Sequence, residues 1–303
     1  MIWFEQKRGY LADRTTQVWV KATGKQLELN DYPWLDGPIG PTHKIGAEYF
    51  DNLAMAENLT IRKNEKSHGI VPDFEVLKSD VFDPKTIHRQ VIDFYQKTSE
   101  YELDAWSQWR GAFRAFGWLL AILFSRRLQQ LNVPLTGLDT SRGITNEVWH
   151  LIEPSKDTPK YAIWIRHLIG SNNVLYAGSY GPCKVPDYEG VCLKVVFPLP
   201  NGNALVIMRP EAYEDGSISL TSSGDGFGSP GFYFVVHGDN GIAWARYVKT
   251  MRESIHVYPI NDSETRADHI LKIWGFEFLR LHYRMRRIGA IAGARNLTRH
   301  SAD

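Results

Sequence analysis

His237 closes the apolar run Phe232-Tyr233-Phe234-Val235-Val236 and is followed by Gly238 and Asp239. A strand-end imidazole with a carboxylate two residues on has the groups for general-base chemistry, because histidine titrates near neutral pH and an acid can orient it. His237 and Asp239 are therefore the candidate catalytic pair. Three other places put charge beside apolar alternation. Trp164 and Arg166 fall on one side of Tyr161-Ala162-Ile163-Trp164-Ile165-Arg166-His167. Arg209 ends Val206-Ile207-Met208, with Glu211 two further on. His256 and Tyr258 alternate with Glu253, Ile255 and Val257. On the inside of a rolled sheet such groups would have to be paired and could orient the polar head of a ligand. Trp164, Phe232 and Phe234 would supply its apolar contacts. The same spacing also fits cross-strand pairs on a wetted face.

Other candidate chemistries fail on context. The run Ser222-Ser223-Gly224-Asp225-Gly226-Phe227-Gly228-Ser229-Pro230-Gly231 is rich in glycine, but no Gly-Lys-Ser/Thr follows it and the next element reads as a strand. No helix N-terminus is then available to hold a phosphate, so a long loop between strands is the better reading. The two cysteines, Cys183 and Cys192, flank a turn-like stretch and could bridge a hairpin if oxidised. Two cysteines in so long a chain fit a reducing compartment rather than a disulfide framework. No Cys/His spacing supplies a metal's ligands, no Gly-x-Ser-x-Gly elbow is present, and no cofactor is implied. The formal net charge of +1 lacks the basic excess of a nucleic-acid binder. The start of the chain lacks a basic-then-apolar leader layout. The longest greasy run, Ala115 to Phe124, is far short of the roughly 20 residues that span a bilayer. A soluble, cytoplasmic protein with no integral membrane segment is expected.

These residues need a scaffold, and the spacing of apolar residues supplies one. Leu279-Arg280-Leu281-His282-Tyr283-Arg284-Met285-Arg286 swaps apolar and charged residues position by position. A half-buried strand can use that pattern and a helix cannot. From Glu147 the period is two. Strands are expected over Glu147–Ile152, Tyr161–Ile169, Val174–Tyr180, Val191–Pro198, Ala204–Arg209, Ser217–Ser222, Gly231–His237, Ile242–Lys249, Glu253–Tyr258 and Ile270–Met285, the last with a bulge at Gly275. Pro200-Asn201-Gly202-Asn203 and Asp239-Asn240-Gly241 are strong hairpin signals. Earlier in the chain, Gln17–Lys21 and Gln26–Leu29 suggest a small hairpin and residues 32–41 an irregular covering loop. Ala47 to Asn58 has helical spacing, and Arg62 to His68 reads as an exposed loop. Asp83-Pro84 opens a helix placing Ile87, Val91, Phe94 and Tyr95 on one face, and a second, mostly apolar helix runs from Ala112 to Gln130.

The fold class expected is α+β, a C-terminal antiparallel barrel or sandwich with a helix-rich N-terminal region packed on it. Its parts are residues 1–82 (mixed), 83–146 (helical), 147–288 (β) and 289–303 (tail). The span from Asp83 to Arg286 resembles a bacterial β-rich domain of unknown function sometimes fused behind saccharopine-dehydrogenase-like domains. The similar points are the helix with Phe94 and Tyr95, the apolar helix from Leu119 to Pro134, the strand with Trp164 and Arg166, and the last alternating strand with Tyr283. The resemblance implies the β-rich shape and carries over no catalytic residues.

A long antiparallel array with many aromatic residues and no catalytic motif suggests a container for a hydrophobic or amphipathic, lipid-like small molecule. An isomerase, cyclase or hydrolase acting on an apolar substrate in the same cavity is the alternative. A third is a peripheral membrane or interaction module, suggested by Arg110, Arg114, Arg126 and Arg127 flanking the apolar helix.

Overall fold

A sheet with alternating faces buries its apolar side either against a second layer or by closing on itself. This chain does both. The computed structural model describes residues 11–42, 45–111, 113, 143–169 and 174–288. Its strands are β1 (Lys25–Glu28), β2 (Thr60–Lys63), β3 (Tyr101–Trp109), β4 (Ile144–Ile152), β5 (Pro159–Leu168), β6 (Val174–Cys183), β7 (Cys192–Leu199), β8 (Gly202–Ala212), β9 (Ile218–Thr221), β10 (Gly231–His237), β11 (Ile242–Tyr247), β12 (Met251–Asn261), β13 (Glu264–Ile273) and β14 (Phe276–Arg287). Ten of them close a ring in the order β8-β7-β6-β5-β4-β3-β14-β13-β12-β9 and back to β8. The architecture is therefore an antiparallel barrel, with three α-helices among the described residues: α1 (Leu11–Thr23), α2 (Glu48–Ala56) and α3 (Arg89–Gln96).

Two strands fork. β8 pairs β10 through Gly202–Ile207 and then β9 through Arg209–Ala212, so β10, β11 and β1 splay away from the ring. β4 touches β3 at Leu103↔Ile144 and pairs β2 at its other end. Helix α1 lies along the splayed sheet: Trp19 meets Phe234 edge-on at 5.9 Å, and Gln17 donates to the Pro200 carbonyl. Helix α3 sends Val91, Phe94 and Tyr95 into the cluster inside the barrel. Outside it, Trp34 and Leu35 cover β7, β8 and β10, while Tyr49 and Phe50 of α2 cover β4 and β5.

Several expectations are corrected. The described part of the N-terminal region holds the three α-helices and also supplies three strands to the same sheet. The 83–146 region in particular contains β3, a stave of the ring. Tyr101, Leu103 and Ala105 are buried, with Glu102 and Asp104 between them, which is strand alternation. The proposed hairpin over 17–29 is α1 followed by β1. Asp13 and Val20, two helical turns apart, are buried, whereas Val18 faces outward. Part of the 62–68 loop is β2. Asp83-Pro84 opens a 3-10 turn, and α3 itself starts at Arg89. Ile270 to Met285 is not one bulged strand: Trp274 (φ 50°) and Gly275 (φ 83°) turn the chain between β13 and β14. Two consecutive positive φ values are the geometry of a tight hairpin turn. The proposed helix Ala112 to Gln130 and the tail from Gly289 lie outside the described residues.

His150 is buried, stacked on His68 at 4.0 Å and 2.8 Å from the Gly69 carbonyl through Nε2. Burial lowers both imidazoles, that of His150 from 6.5 to about 4. The unfolded chain therefore takes up the proton first. The contribution of a neutral His150 is fully present above pH 6.5 and drains as pH falls toward 4, by about 3 kcal/mol. Urea unfolding across that range should show wild type losing this much more stability than H150Q, whose amide can still donate to Gly69. Parallel profiles would refute the assignment.

Candidate functional site

The inward residues of the ring leave a cavity of about 640 Å³, within the size range of ligand pockets. Its walls are mostly apolar: Leu193, Val195, Val206 and Met208 on one side, Ile255, Val257, Ala267, Leu271 and Leu279 on the other, with Phe232 and Phe234 from the splayed sheet. Trp19 and Trp274 also line it and are 39% and 66% exposed, so it reaches the surface beside α1 and at the β13–β14 turn.

Polar residues line the wall at the α1 end (Asp13, Thr16, Gln17 and Asn203) and in a second patch. β5 presents Arg166, β12 Glu253, β13 His269, and β6 and β14 present Tyr176, Tyr180 and Tyr283. His269 Nε2 lies 2.9 Å from Glu253 Oε1, with both side chains 11% exposed. Register makes this pair: Glu253 is opposite Leu271, so His269 is its diagonal neighbour on the inner face. The Arg166 guanidinium lies over Trp164 at 4.0 Å and Tyr176 at 4.6 Å. Arg166 also sits at an irregularity. It pairs Tyr176 while His167 pairs Val174, so Leu175 is an extra residue and the chain bulges beside the guanidinium. Leu175 and Tyr176 are both buried in the inner cluster as a result. The indole Nε1 of Trp164 donates to Asn146 Oδ1, whose amide donates to the carbonyls of Thr98 and Tyr101 at 2.7 and 2.8 Å. Burial raises the phenols of Tyr176, Tyr180 and Tyr283 above their ordinary value, that of Tyr180 to about 12. They are therefore neutral groups that can donate hydrogen bonds.

The structure brings together four of the sequence-selected residues: Trp164, Arg166, Phe232 and Phe234 line the cavity. The others lie elsewhere. His256 and Tyr258 are on the outer face of β12, where His256 Nδ1 meets Ser219 Oγ at 3.0 Å and Tyr258 donates to Asp268. Arg209 is exposed on β8, one residue past Met208 of the wall. His237 is outside the lining. Burial lowers its pKa and the Asp36 carboxylate raises it, while Asp239 is exposed in the turn beyond. Alternation could not select Glu253, His269, Tyr176, Tyr180 and Tyr283, because it separates two faces without saying which turns inward. Among the described residues no three His, Cys, Asp or Glu side chains converge as a metal site.

The glycine-rich segment is a packed loop. The Tyr233 hydroxyl donates to Ser229 O at 2.5 Å and accepts from Gly228 N. Gly228 has φ +105°, and a Cβ there would lie 3.0 Å from Asp187 Oδ2. Cys183 and Cys192 face each other across the β6–β7 ladder as free thiols that burial pushes up, that of Cys183 to about 11.

Fold and site together define an antiparallel β-barrel around a largely apolar cavity whose polar groups include Arg166, Glu253 and His269. No family model matches the chain, and no solved structure matches it. It is similar to the uncharacterized membrane protein YndJ of Bacillus subtilis (strain 168), at 26% identity over 260 residues. That match covers 81% of this chain and 42% of the relative, so the chain spans about two fifths of that protein's length. No described helix is long and apolar enough to cross a membrane.

Proposed function

We propose that the barrel binds a hydrophobic or amphipathic small molecule. The observation that carries this reading is the cavity itself, about 640 Å³ with walls mainly of Leu, Val, Ile and Phe and mouths at Trp19 and Trp274. Its wall removes apolar ligand surface from water, at about 25 cal/mol for each Å² buried. The outer face of the ring supports a container whose exterior meets water. Arg284 pairs with Asp104 at 2.7 Å and His282 with Asp268 at 2.8 Å across β3, β14 and β13. A lipid-facing band would carry apolar residues at those positions. The word membrane in the relative's name describes a protein of which this chain matches less than half.

Titration with Nile red, a neutral dye that fluoresces in apolar surroundings, tests the reading. It expects saturable binding of one dye per chain, displaced by aliphatic competitors. A linear, unsaturable signal would contradict it.

A second reading, an enzyme acting on an apolar substrate in this cavity, is supported by the buried Glu253–His269 pair, which has the make-up of a general acid–base unit. It expects H269Q to abolish turnover of a substrate while leaving dye binding intact.

A further inference from the structure

The Arg166 side chain is a feature of the cavity that the barrel's own packing leaves incompletely satisfied. It is 6% exposed and its Nε has no hydrogen-bond partner. No described carboxylate lies within ion-pair distance. Of the two acids that line the same cavity, Glu253 is engaged by His269 and Asp13 lies on α1. Two aromatic rings and a side-chain hydrogen bond with the Tyr283 hydroxyl hold the guanidinium, and Asn146 in turn fixes one of the rings. Removing a cation from water is costly, and aromatic contact offsets only part of that cost. A buried arginine without a carboxylate is therefore a position prepared for an anion that comes from elsewhere. Its donors form a planar fork that matches a planar oxyanion through two parallel hydrogen bonds.

The surroundings define the rest of the ligand. Along β13 the inward residues run Ala267, His269, Leu271 and Ile273, and Trp274 follows at the mouth. From the level of His269 to the mouth the described wall is apolar apart from Glu253 and Thr250. At about 3.4 Å per residue from His269 to Trp274 that path is roughly 17 Å long. We propose that the ligand is an alkyl carboxylate, bound with its carboxylate on Arg166 and its chain along the apolar wall. This rests on the cavity-binding reading and names the substrate class of that site.

Binding of dodecanoate, dodecanol and methyl dodecanoate to wild type and R166M, each measured by displacement of Nile red, tests it. Methionine keeps the length and apolar stem and removes the charge. Wild type is expected to bind dodecanoate about tenfold or more tighter than dodecanol or the ester, as charge-assisted hydrogen bonds give. R166M is expected to lose that preference, retain dodecanol binding, and melt at a higher temperature when empty, since an unpaired buried charge is gone. Equal affinity of wild type for the acid, alcohol and ester would overturn the carboxylate assignment and leave the cavity reading intact. So would an acid preference that survives in R166M. Failure of all three, and of the dye, to bind wild type would overturn both. Should R166M not fold, the wild-type ratio of dodecanoate to its methyl ester decides the question alone.

Discussion

Trp164→Ala should destabilise the barrel by about 3–5 kcal/mol in urea unfolding, the largest effect expected of a single substitution at the site. Trp164 is buried and packs its ring near Phe94 and Tyr180, at centroid distances of 6.1 and 5.7 Å. Three losses coincide. The indole's volume becomes a cavity in the inner cluster. Asn146 Oδ1 loses its donor on β5. Arg166 loses the nearer of its two aromatic contacts. Trp164→Phe separates these terms. It keeps a ring against Arg166 and removes the indole donor, and should cost about 1–3 kcal/mol, mainly for the unsatisfied acceptor. A W164A protein within 1 kcal/mol of wild type would show that this wall does not hold the barrel together.

Ala267→Phe should weaken binding of an apolar ligand about 100-fold while the barrel stays folded. Ala267 is buried on the inner face, opposite Val257 on β12 and Tyr283 on β14, and it lines the cavity. A phenyl group there fills space in front of the polar patch, which a ligand reaching Arg166 must occupy. Because the space is empty, the strain of overpacking should stay near the lower end of its usual range, about 1 kcal/mol. Far-UV circular dichroism should match wild type, and Nile red titration should give the affinity. Unchanged affinity in a folded A267F would place the ligand somewhere other than this cavity.

Much of the barrel was legible because each strand carries its own evidence. Trp164 and Arg166 share a side of β5 by simple alternation, and so do Glu253, Ile255 and Val257 of β12. What alternation leaves open is which side turns inward, and that is decided by register with strands far away in sequence. His256 and Tyr258 lie on the face of β12 away from this cavity, and Glu253 lies on the face that lines it. The Glu253–His269 pair exists only because β12 and β13 pair with Glu253 opposite Leu271. β3 was hidden for a different reason. It lies directly after a helix with clear apolar spacing, and its alternation ends in Trp106-Ser107-Gln108-Trp109, where Trp106 faces out and Trp109 in. The β13–β14 turn was hidden because Trp274 takes a positive φ, which sequence preference assigns to Asn or Gly. At α1, Gln17 to Lys21 satisfies both a two-residue and a helical period, and packing on the splayed sheet decides for the helix.

We propose above all that the barrel is a container for an apolar small molecule. Native mass spectrometry of the protein as purified, with wild type and A267F prepared in parallel, tests it most directly. Wild type should carry additional mass on part of the population, released by organic extraction as an aliphatic compound, while A267F should carry none. A wild-type protein that stays at its bare chain mass and takes up no added alkyl acid, alcohol or ester would contradict the claim.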